Sequence, residues 1–120
     1  MTTARQYPPI PKPLDVAILA FAGCQVLDVT GPAMVFEAGN NISGQARYNV
    51  HILSAKGGTI QTSSAVALVT KPLNALPPRA IDTLLIAGGD KPGLQRLAAD
   101  QSVRKWVVQT SGKARRPRGR

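Results

Sequence analysis

The sequence predicts an α/β domain, an incomplete doubly wound parallel sheet with a small antiparallel excursion. Three short segments rich in apolar and β-forming residues, 16–21, 48–53 and 82–87, have the character of strands in the centre of a parallel sheet. Segments with helical spacing of apolar residues follow the first and the last of them. Strands that alternate with helices favour βαβ units, whose right-handed crossovers place helices on both faces of the sheet.

The first strand, residues 16–21, is a continuous apolar run and leads to a predicted helix. The helix is expected to begin near Gly31 and Pro32, because a proline in the first turn removes no helical hydrogen bond. It continues over residues 33–38 and is expected to stop at Gly39 and the two asparagines that follow it.

The second strand, residues 48–53, precedes a tight turn at Gly57 and Gly58, where a positive φ carries little steric cost. Residues 59–62 and 65–69 are rich in β-forming residues and are separated by two serines. These two segments are predicted to form the antiparallel excursion.

The third buried strand, residues 82–87, follows a proline-rich loop and ends at two glycines. A short helical stripe comes next, and Asp100 is placed to cap a second helix. The apolar positions of the two helices are Leu94, Leu97 and Ala98 in the first and Val103, Trp106 and Val107 in the second. Residues 111–120 show no strand pattern.

The formal net charge of +9 is concentrated at the C-terminus. Residues 113–120 hold five of the fifteen basic residues, which leaves ten basic against six acidic residues in the rest of the chain. Because no aromatic residues interleave with these cations, we expect a solvated tail rather than a nucleic-acid surface. The predicted organisation is a flexible proline-rich leader over 1–14, the α/β domain over 15–112, and a basic disordered tail over 113–120.

Cys24 is the only cysteine, which excludes an internal disulfide and a CxxC site and indicates a reducing compartment, taken here as the cytoplasm. The segment before residue 15 has no apolar core of a signal peptide, and no run approaches the roughly 20 apolar residues of a membrane span. The spacing of Gly88, Gly89 and Gly93 matches neither the dinucleotide nor the P-loop pattern. No cofactor, metal or membrane partner is therefore expected.

Three consecutive motifs carry a family resemblance: VAILAFAG at 16–23, QVLDVTGP at 25–32 and VFE at 35–37. They resemble the opening of ThiJ/PfpI domains, which belong to the class I glutamine amidotransferase-like superfamily. More narrowly, they resemble the branch at the N-terminus of AraC-family transcriptional regulators, a branch that also includes isonitrile hydratases. Segments 48–55, 62–64 and 82–89 agree in order, so the resemblance covers residues 16 to about 116 and implies a flavodoxin-like fold.

The resemblance also implies a nucleophile elbow that this chain does not contain. In the family, the helix at this position leads through a basic turn into a strand and a cysteine elbow often written S-V-C-T-G. Residues 114–116, ARR, match that approach, but residues 117–120, PRGR, do not, because proline breaks a central strand. Our hypothesis is a truncation or frameshift that removes the elbow cysteine and the helix-turn-helix domain of the regulators.

Asp28, Gly88 and Gly89 are the candidate site residues. The resemblance implies that an acidic residue at Asp28 hydrogen-bonds the elbow cysteine, and that a backbone N–H at Gly88 or Gly89 contributes to an oxyanion site. We favour two structural alternatives. Asp28 would accept hydrogen bonds from backbone amides at the start of a helix, and Gly88 and Gly89 would form a turn after the strand. Cys24 is interpreted as a small buried hydrophobe and His51 as a strand histidine without a catalytic or metal role.

Three functions remain open at this point. The first is a truncated ThiJ/PfpI-like domain of an AraC-type regulator that senses a small-molecule effector or forms a homodimer and binds DNA only through a domain absent here. The second is a fragment of a cysteine-dependent amidase or isonitrile hydratase. The third is a fragment without activity. We expect no catalysis by the chain as it stands.

Overall fold

The computed structural model describes residues 12–113 and 116–117, and it consists of one sheet with helices on both faces. The strands are β1 (Leu14–Leu19), β2 (Tyr48–Ser54), β3 (Lys56–Gln61), β4 (Ala67–Pro72), β5 (Ile81–Ile86) and β6 (Arg116–Pro117). The helices are α1 (Leu27–Ser43), α2 (Lys91–Ala99) and α3 (Gln101–Lys113), and short 3₁₀ turns occupy Leu73–Ala75 and Pro78–Ala80.

The strand order is β3-β4-β2-β1-β5-β6. Among these described strands, β3 and β4 pair antiparallel, and all other neighbours pair parallel. The predicted fold class, a doubly wound parallel sheet with an antiparallel excursion, is confirmed. The chain leaves β1 toward β2 on one side and returns to β5 on the other, so the boundary between β1 and β5 is the switch point at which such sheets bind ligands.

Strand β1 lies at the centre of the core because both of its faces are covered. Val16 and Ile18 pack on the side of α1, in a cluster with Val29. Ala17 and Leu19 face the opposite side, in a cluster that includes Leu84, Val103 and Trp106. Residues 16–20 are completely buried, as the continuous apolar run predicts.

Helix α1 begins earlier than predicted, at Leu27 rather than near Gly31. The carbonyl of Val26 accepts hydrogen bonds from the backbone N–H and the hydroxyl of Thr30, at 2.9 and 3.0 Å. A helical turn is therefore complete before Pro32, which lies inside the helix instead of at its first turn. The prediction was wrong because it treated a proline in the sequence as a helix start.

The end of α1 also differs from the prediction, since the helix passes Gly39 and stops at Gly44 with φ 70°. Asn40 does not end the helix because its side chain is bonded outside it. Its Oδ1 accepts from the N–H groups of Arg47 and Tyr48, at 2.8 and 2.9 Å, and its Nδ2 donates to the Tyr48 carbonyl at 3.0 Å. These bonds connect the helix to the start of β2.

Gly57 and Gly58 have the positive φ that was expected, 73° and 79°, but they lie within β3 and not in a turn before it. A Cβ atom at Gly57 would lie 2.7 Å from the backbone nitrogen of Pro72, so the close pairing with β4 requires a glycine there. Both strands of the excursion are accordingly displaced from the predicted segments 59–62 and 65–69.

The sequence shows no strand pattern after residue 111, yet Arg116–Pro117 forms the short strand β6 beside Thr83 and Leu84 of β5. A proline is compatible with this position because an edge strand needs hydrogen bonds on one side only. The predicted leader falls mainly on residues 1–11 and the predicted tail on residues 114–115 and 118–120, which lie outside the described residues.

Candidate functional site

Three loops meet beyond the carboxyl ends of β1 and β5, and we call residues 20–26, 62–66 and 87–90 the loop junction. The Gln25 N–H donates to the Gly88 carbonyl at 2.8 Å, and the Asp90 N–H donates to the Gly23 carbonyl at 2.9 Å. The Ser63 N–H donates to the Cys24 carbonyl at 2.8 Å. Because all three contacts use backbone groups, the junction is held independently of most side chains.

Gly89 lies at the tightest point of the loop junction, where it pairs with Cys24 in an isolated antiparallel bridge. A Cβ atom on Gly89 would lie 2.7 Å from the Gly23 carbonyl oxygen and 2.9 Å from the Cys24 Cα. Both of these are backbone atoms and cannot rotate away. The close approach of the two loops therefore requires glycine at this position.

Asp28 connects the start of α1 to the loop that follows β5. Its Oδ2 accepts a hydrogen bond from the Gly88 N–H at 2.8 Å, although the two residues are 60 positions apart. The sequence interpretation expected amides of a helix start as the partners of Asp28, whereas the structure supplies the amide of a distant loop. The carboxylate thus spans the switch point between β1 and β5.

The two candidate oxyanion donors differ in what their N–H groups contact. The Gly88 N–H is bonded to Asp28, whereas the Gly89 N–H has no acceptor among residues 12–113 and 116–117. A donor for an incoming oxygen at this site would therefore be Gly89. The structure brings Asp28, Gly88 and Gly89 together, and their predicted roles remain predictions.

Cys24 and His51 do not form a nucleophile and base pair. Cys24 is completely buried, in the cluster on the α1 side of the sheet. His51 is opposite Ala17, whose side chain lies in the cluster on the α3 side, and its Nε2 is 2.9 Å from an Asp15 oxygen. Cys24 is thus a small buried hydrophobe, as expected.

The carboxylate next to His51 was missed by sequence reasoning because Asp15 is 36 residues away in the chain. The register of β1 against β2 places the two side chains diagonally on one face of the sheet. The sequence does place Asp15 directly before the first apolar run, at the start of a strand. Pairing it with His51 also requires the register of β1 against β2, which the sequence does not give.

Two further aspartates near the C-terminal edge cap helices. Asp90 Oδ1 accepts from the Gly93 N–H at 2.7 Å at the start of α2. Asp100 accepts from the Ser102 hydroxyl at 2.7 Å and from the Val103 N–H at 3.2 Å, which confirms the predicted cap of α3. The Ser102 hydroxyl, followed by the Val103 N–H, holds the pKa of Asp100 below its usual value of 3.8.

A cleft of about 270 Å³ adjoins the loop junction on the side of α2 and α3. Its wall is mostly apolar and includes Phe21 and Val103, and the cationic side chains of Lys56 and Arg96 lie on its border. Within the described residues, no group of three or more His, Cys, Asp and Glu side chains is placed to hold a metal ion. No helix in the described ranges is both long and apolar enough to cross a bilayer.

No family model matches the chain. A protein of Streptomyces lividans, described as an uncharacterised protein in the cpoL 5′ region, is 38% identical over 78 residues, which is 65% of this chain and 53% of that protein. The chain therefore spans about half the length of this relative.

Solved structures with the same fold include a ThiJ/PfpI family protein from Pseudomonas syringae, with a TM-score of 0.75 and 20% identity over 88% of this chain and 41% of that one. An AraC family transcriptional regulator from Pseudomonas putida has a TM-score of 0.63 and 20% identity, over 85% of this chain and 62% of that one. Drosophila melanogaster DJ-1beta has a TM-score of 0.68 and 15% identity, over 86% and 53%. The predicted resemblance is confirmed at the level of the fold: the chain has the architecture of ThiJ/PfpI domains.

Proposed function

We propose that the chain is the N-terminal part of a ThiJ/PfpI-like domain of a cytoplasmic AraC-type transcriptional regulator. In this proposal the domain binds a small-molecule effector and does not catalyse a reaction. The observation that supports this most directly is the contact of Asp28 with the Gly88 N–H. In an enzyme of this type the carboxylate would bond a reactive thiol. Here it bonds backbone, and the only thiol of the chain is buried at Cys24.

The cleft beside the loop junction is the proposed effector site. It opens at the carboxyl ends of β1 and β2, on the edge of the sheet at which doubly wound folds bind ligands and next to the switch point between β1 and β5. Its apolar wall suits a small organic molecule. Lys56 and Arg96 outnumber Asp100, the one carboxylate among its lining residues, which favours an anionic group on that molecule. Binding of DNA would belong to a separate helix-turn-helix domain.

The proposal includes a truncation or frameshift near residue 117, and the nucleotide sequence beyond Arg120 tests it. We expect one of the other reading frames to continue with a strand and an S-V-C-T-G-like elbow, followed by a helix-turn-helix pair. A frame that ends after one α/β domain would favour the amidase or isonitrile hydratase alternative. If no frame contains an elbow, the truncation hypothesis is wrong.

The absence of catalysis is tested with the purified 120-residue chain and with Cys24→Ala as a matched variant. Isonitrile hydration and amide hydrolysis are expected to proceed at the rate without protein in both cases, because the Cys24 thiol is buried and hydrogen-bonds to no base among the described residues. Fluorescence of Trp106, which is buried in the core, reports whether both proteins are folded. Turnover by the wild type that disappears in Cys24→Ala would refute the proposal.

A further inference from the structure

A second cleft, of about 720 Å³, lies between α3 and the loop that follows β4. We call it the proline cleft, because Pro72, Pro77 and Pro78 form part of its wall. Trp106 of α3 lies in the wall as well. Proline rings and the indole of tryptophan present flat apolar surfaces, so the cleft suits a planar apolar group.

The proline cleft is distinct from the cleft of about 270 Å³ beside the loop junction, which we call the effector cleft. Ala55 and Lys56, between the end of β2 and the start of β3, line both. The remaining lining residues differ, since Arg96 of α2 borders only the effector cleft and the segment 72–78 borders only the proline cleft. Substitutions can therefore separate the two clefts.

The walls of the proline cleft are anchored in the core. Leu73 and Trp106 are both buried and belong to the cluster on the α3 side of the sheet, and Leu76 packs against that cluster. A ligand would therefore meet walls that are already in place. Binding to a preformed cleft costs less ordering of side chains than binding to a mobile one.

The indole nitrogen of Trp106 is a hydrogen-bond donor without an acceptor. It is buried and has no partner among residues 12–113 and 116–117. Trp106 as a whole is only 7% exposed. An indole N–H can donate but not accept, and leaving a buried donor unpaired is unfavourable. An oxygen atom of a ligand held against this ring would supply the acceptor that the fold does not.

Lys56 is the one charged residue among the described residues that line the proline cleft. It is exposed and forms no salt bridge with a described residue. Its charge does act on Asp100, but Asp100 does not line this cleft and is already hydrogen-bonded to Ser102 and Val103. A single cation beside apolar walls favours a ligand that joins an apolar body to an anionic group.

We propose that the proline cleft binds a small aromatic carboxylate. The aromatic body lies against the proline rings and Trp106, the carboxylate pairs with Lys56, and the Trp106 N–H donates to an oxygen of the ligand. An amine would be repelled by Lys56, and a sugar would gain little from the apolar walls. This site is separate from the effector cleft and does not depend on the proposed regulatory function.

Titration of the full 120-residue chain with cinnamate, followed by NMR, tests the proposal. Because Trp106 is the only tryptophan, its indole N–H gives a single resonance that reports directly on this site. We expect a saturable shift of this resonance at millimolar cinnamate. Cinnamamide, an uncharged molecule of nearly the same shape, should bind about fivefold more weakly because it cannot pair with an exposed ammonium group.

Lys56→Gln and Arg96→Gln form a matched pair of variants that distinguishes the two clefts. Lys56→Gln should lower the affinity for cinnamate about fivefold and leave the affinity for cinnamamide unchanged, because only the anion loses a partner. Arg96→Gln removes a cation that borders the effector cleft alone, so it should change the affinity for cinnamate by less than about twofold.

Trp106→Phe keeps an aromatic ring in the wall and removes the N–H donor. We expect the affinity for cinnamate, measured by calorimetry, to fall about tenfold, because a hydrogen bond to a charged acceptor is lost. Circular dichroism checks that this variant is folded. The comparison of Lys56→Gln with Arg96→Gln does not depend on it.

Three results would overturn the proposal. The first is an indole resonance that does not shift at millimolar cinnamate. The second is equal affinity of the wild type for cinnamate and cinnamamide. The third is a loss of cinnamate affinity in Arg96→Gln as large as that in Lys56→Gln, which would place the ligand in the effector cleft instead.

Discussion

Asp28 and Gly88 are predicted to contribute to stability as a coupled pair, although they belong to different elements. The test is a double-mutant cycle that combines Asp28→Ala and Gly88→Ala. The Gly88 N–H donates to Asp28 Oδ2 at 2.8 Å, and a methyl group added at Gly88 would lie 2.9 Å from that oxygen. Each substitution alone therefore removes the same hydrogen bond.

The size of the coupling follows from two opposing effects of Gly88→Ala. The carboxylate has to rotate away from the methyl group, and the lost hydrogen bond costs about 1 kcal/mol because Asp28 is exposed and water replaces part of it. Gly88 has no positive φ, so alanine restricts the unfolded chain and contributes about 0.4–1 kcal/mol in favour of folding. When Gly88→Ala is made in the wild-type background, its cost and its gain nearly cancel, so the free energy of unfolding changes little. In the Asp28→Ala background only the favourable effect remains, which gives a coupling of about 1 kcal/mol.

Urea unfolding followed by the fluorescence of Trp106 measures the four free energies of unfolding, since this is the only tryptophan and it lies in the core. Gly112→Ala is the control, because a Cβ there meets no atom within 4 Å and should act equally in both backgrounds. A coupling smaller than about 0.3 kcal/mol would mean that the carboxylate does not hold Gly88, and the description of the site would be wrong.

Two further substitutions test the neighbourhood of the site. Gly89→Ala should lower the free energy of unfolding by about 1–3 kcal/mol, measured by the same urea titration, because its methyl group would lie within 3 Å of two backbone atoms and of the Phe21 ring. A cost no larger than that of Gly88→Ala would contradict the close approach of the two loops. Asp100 has a folded-state pKa below 3.8, so its contribution to stability is present above that pH and is lost as the pH falls through the folded-state pKa. Asn still caps the helix but does not titrate, so Asp100→Asn should lose less stability than the wild type when the pH falls. The measurement compares the urea midpoints of both proteins at about pH 6 and about pH 2.5. An equal loss in both proteins would show that the Asp100 carboxylate does not contribute to the acid dependence.

The sequence predicts the fold well where burial alone decides the structure. Residues 16–20 are apolar without interruption and form the strand with both faces covered. The ends of α1 were mispredicted because local signals competed with contacts from afar. Pro32 has the character of a helix start, but the Val26 carbonyl already closes a helical turn before it. Asn40 has the character of a helix end, but its side chain hydrogen-bonds to the start of β2 and the helix continues. Such tertiary contacts cannot be derived from helix propensities.

The candidate site was found from the sequence only through the family resemblance. Nothing local connects Asp28 with Gly88, because their contact depends on the pairing of β1 with β5. The same holds for Asp15 and His51, which meet through the register of β1 with β2. Polar contacts between neighbouring parallel strands need the strand order, and a single sequence does not contain it.

Asp28 connects the loop junction to helix α1. The junction is held by backbone hydrogen bonds at the carboxyl ends of β1 and β5. Asp28 belongs to the first turn of α1, and its carboxylate accepts a hydrogen bond from the Gly88 N–H. A movement of the junction on effector binding would therefore be transmitted to the start of α1, because this bond joins the two.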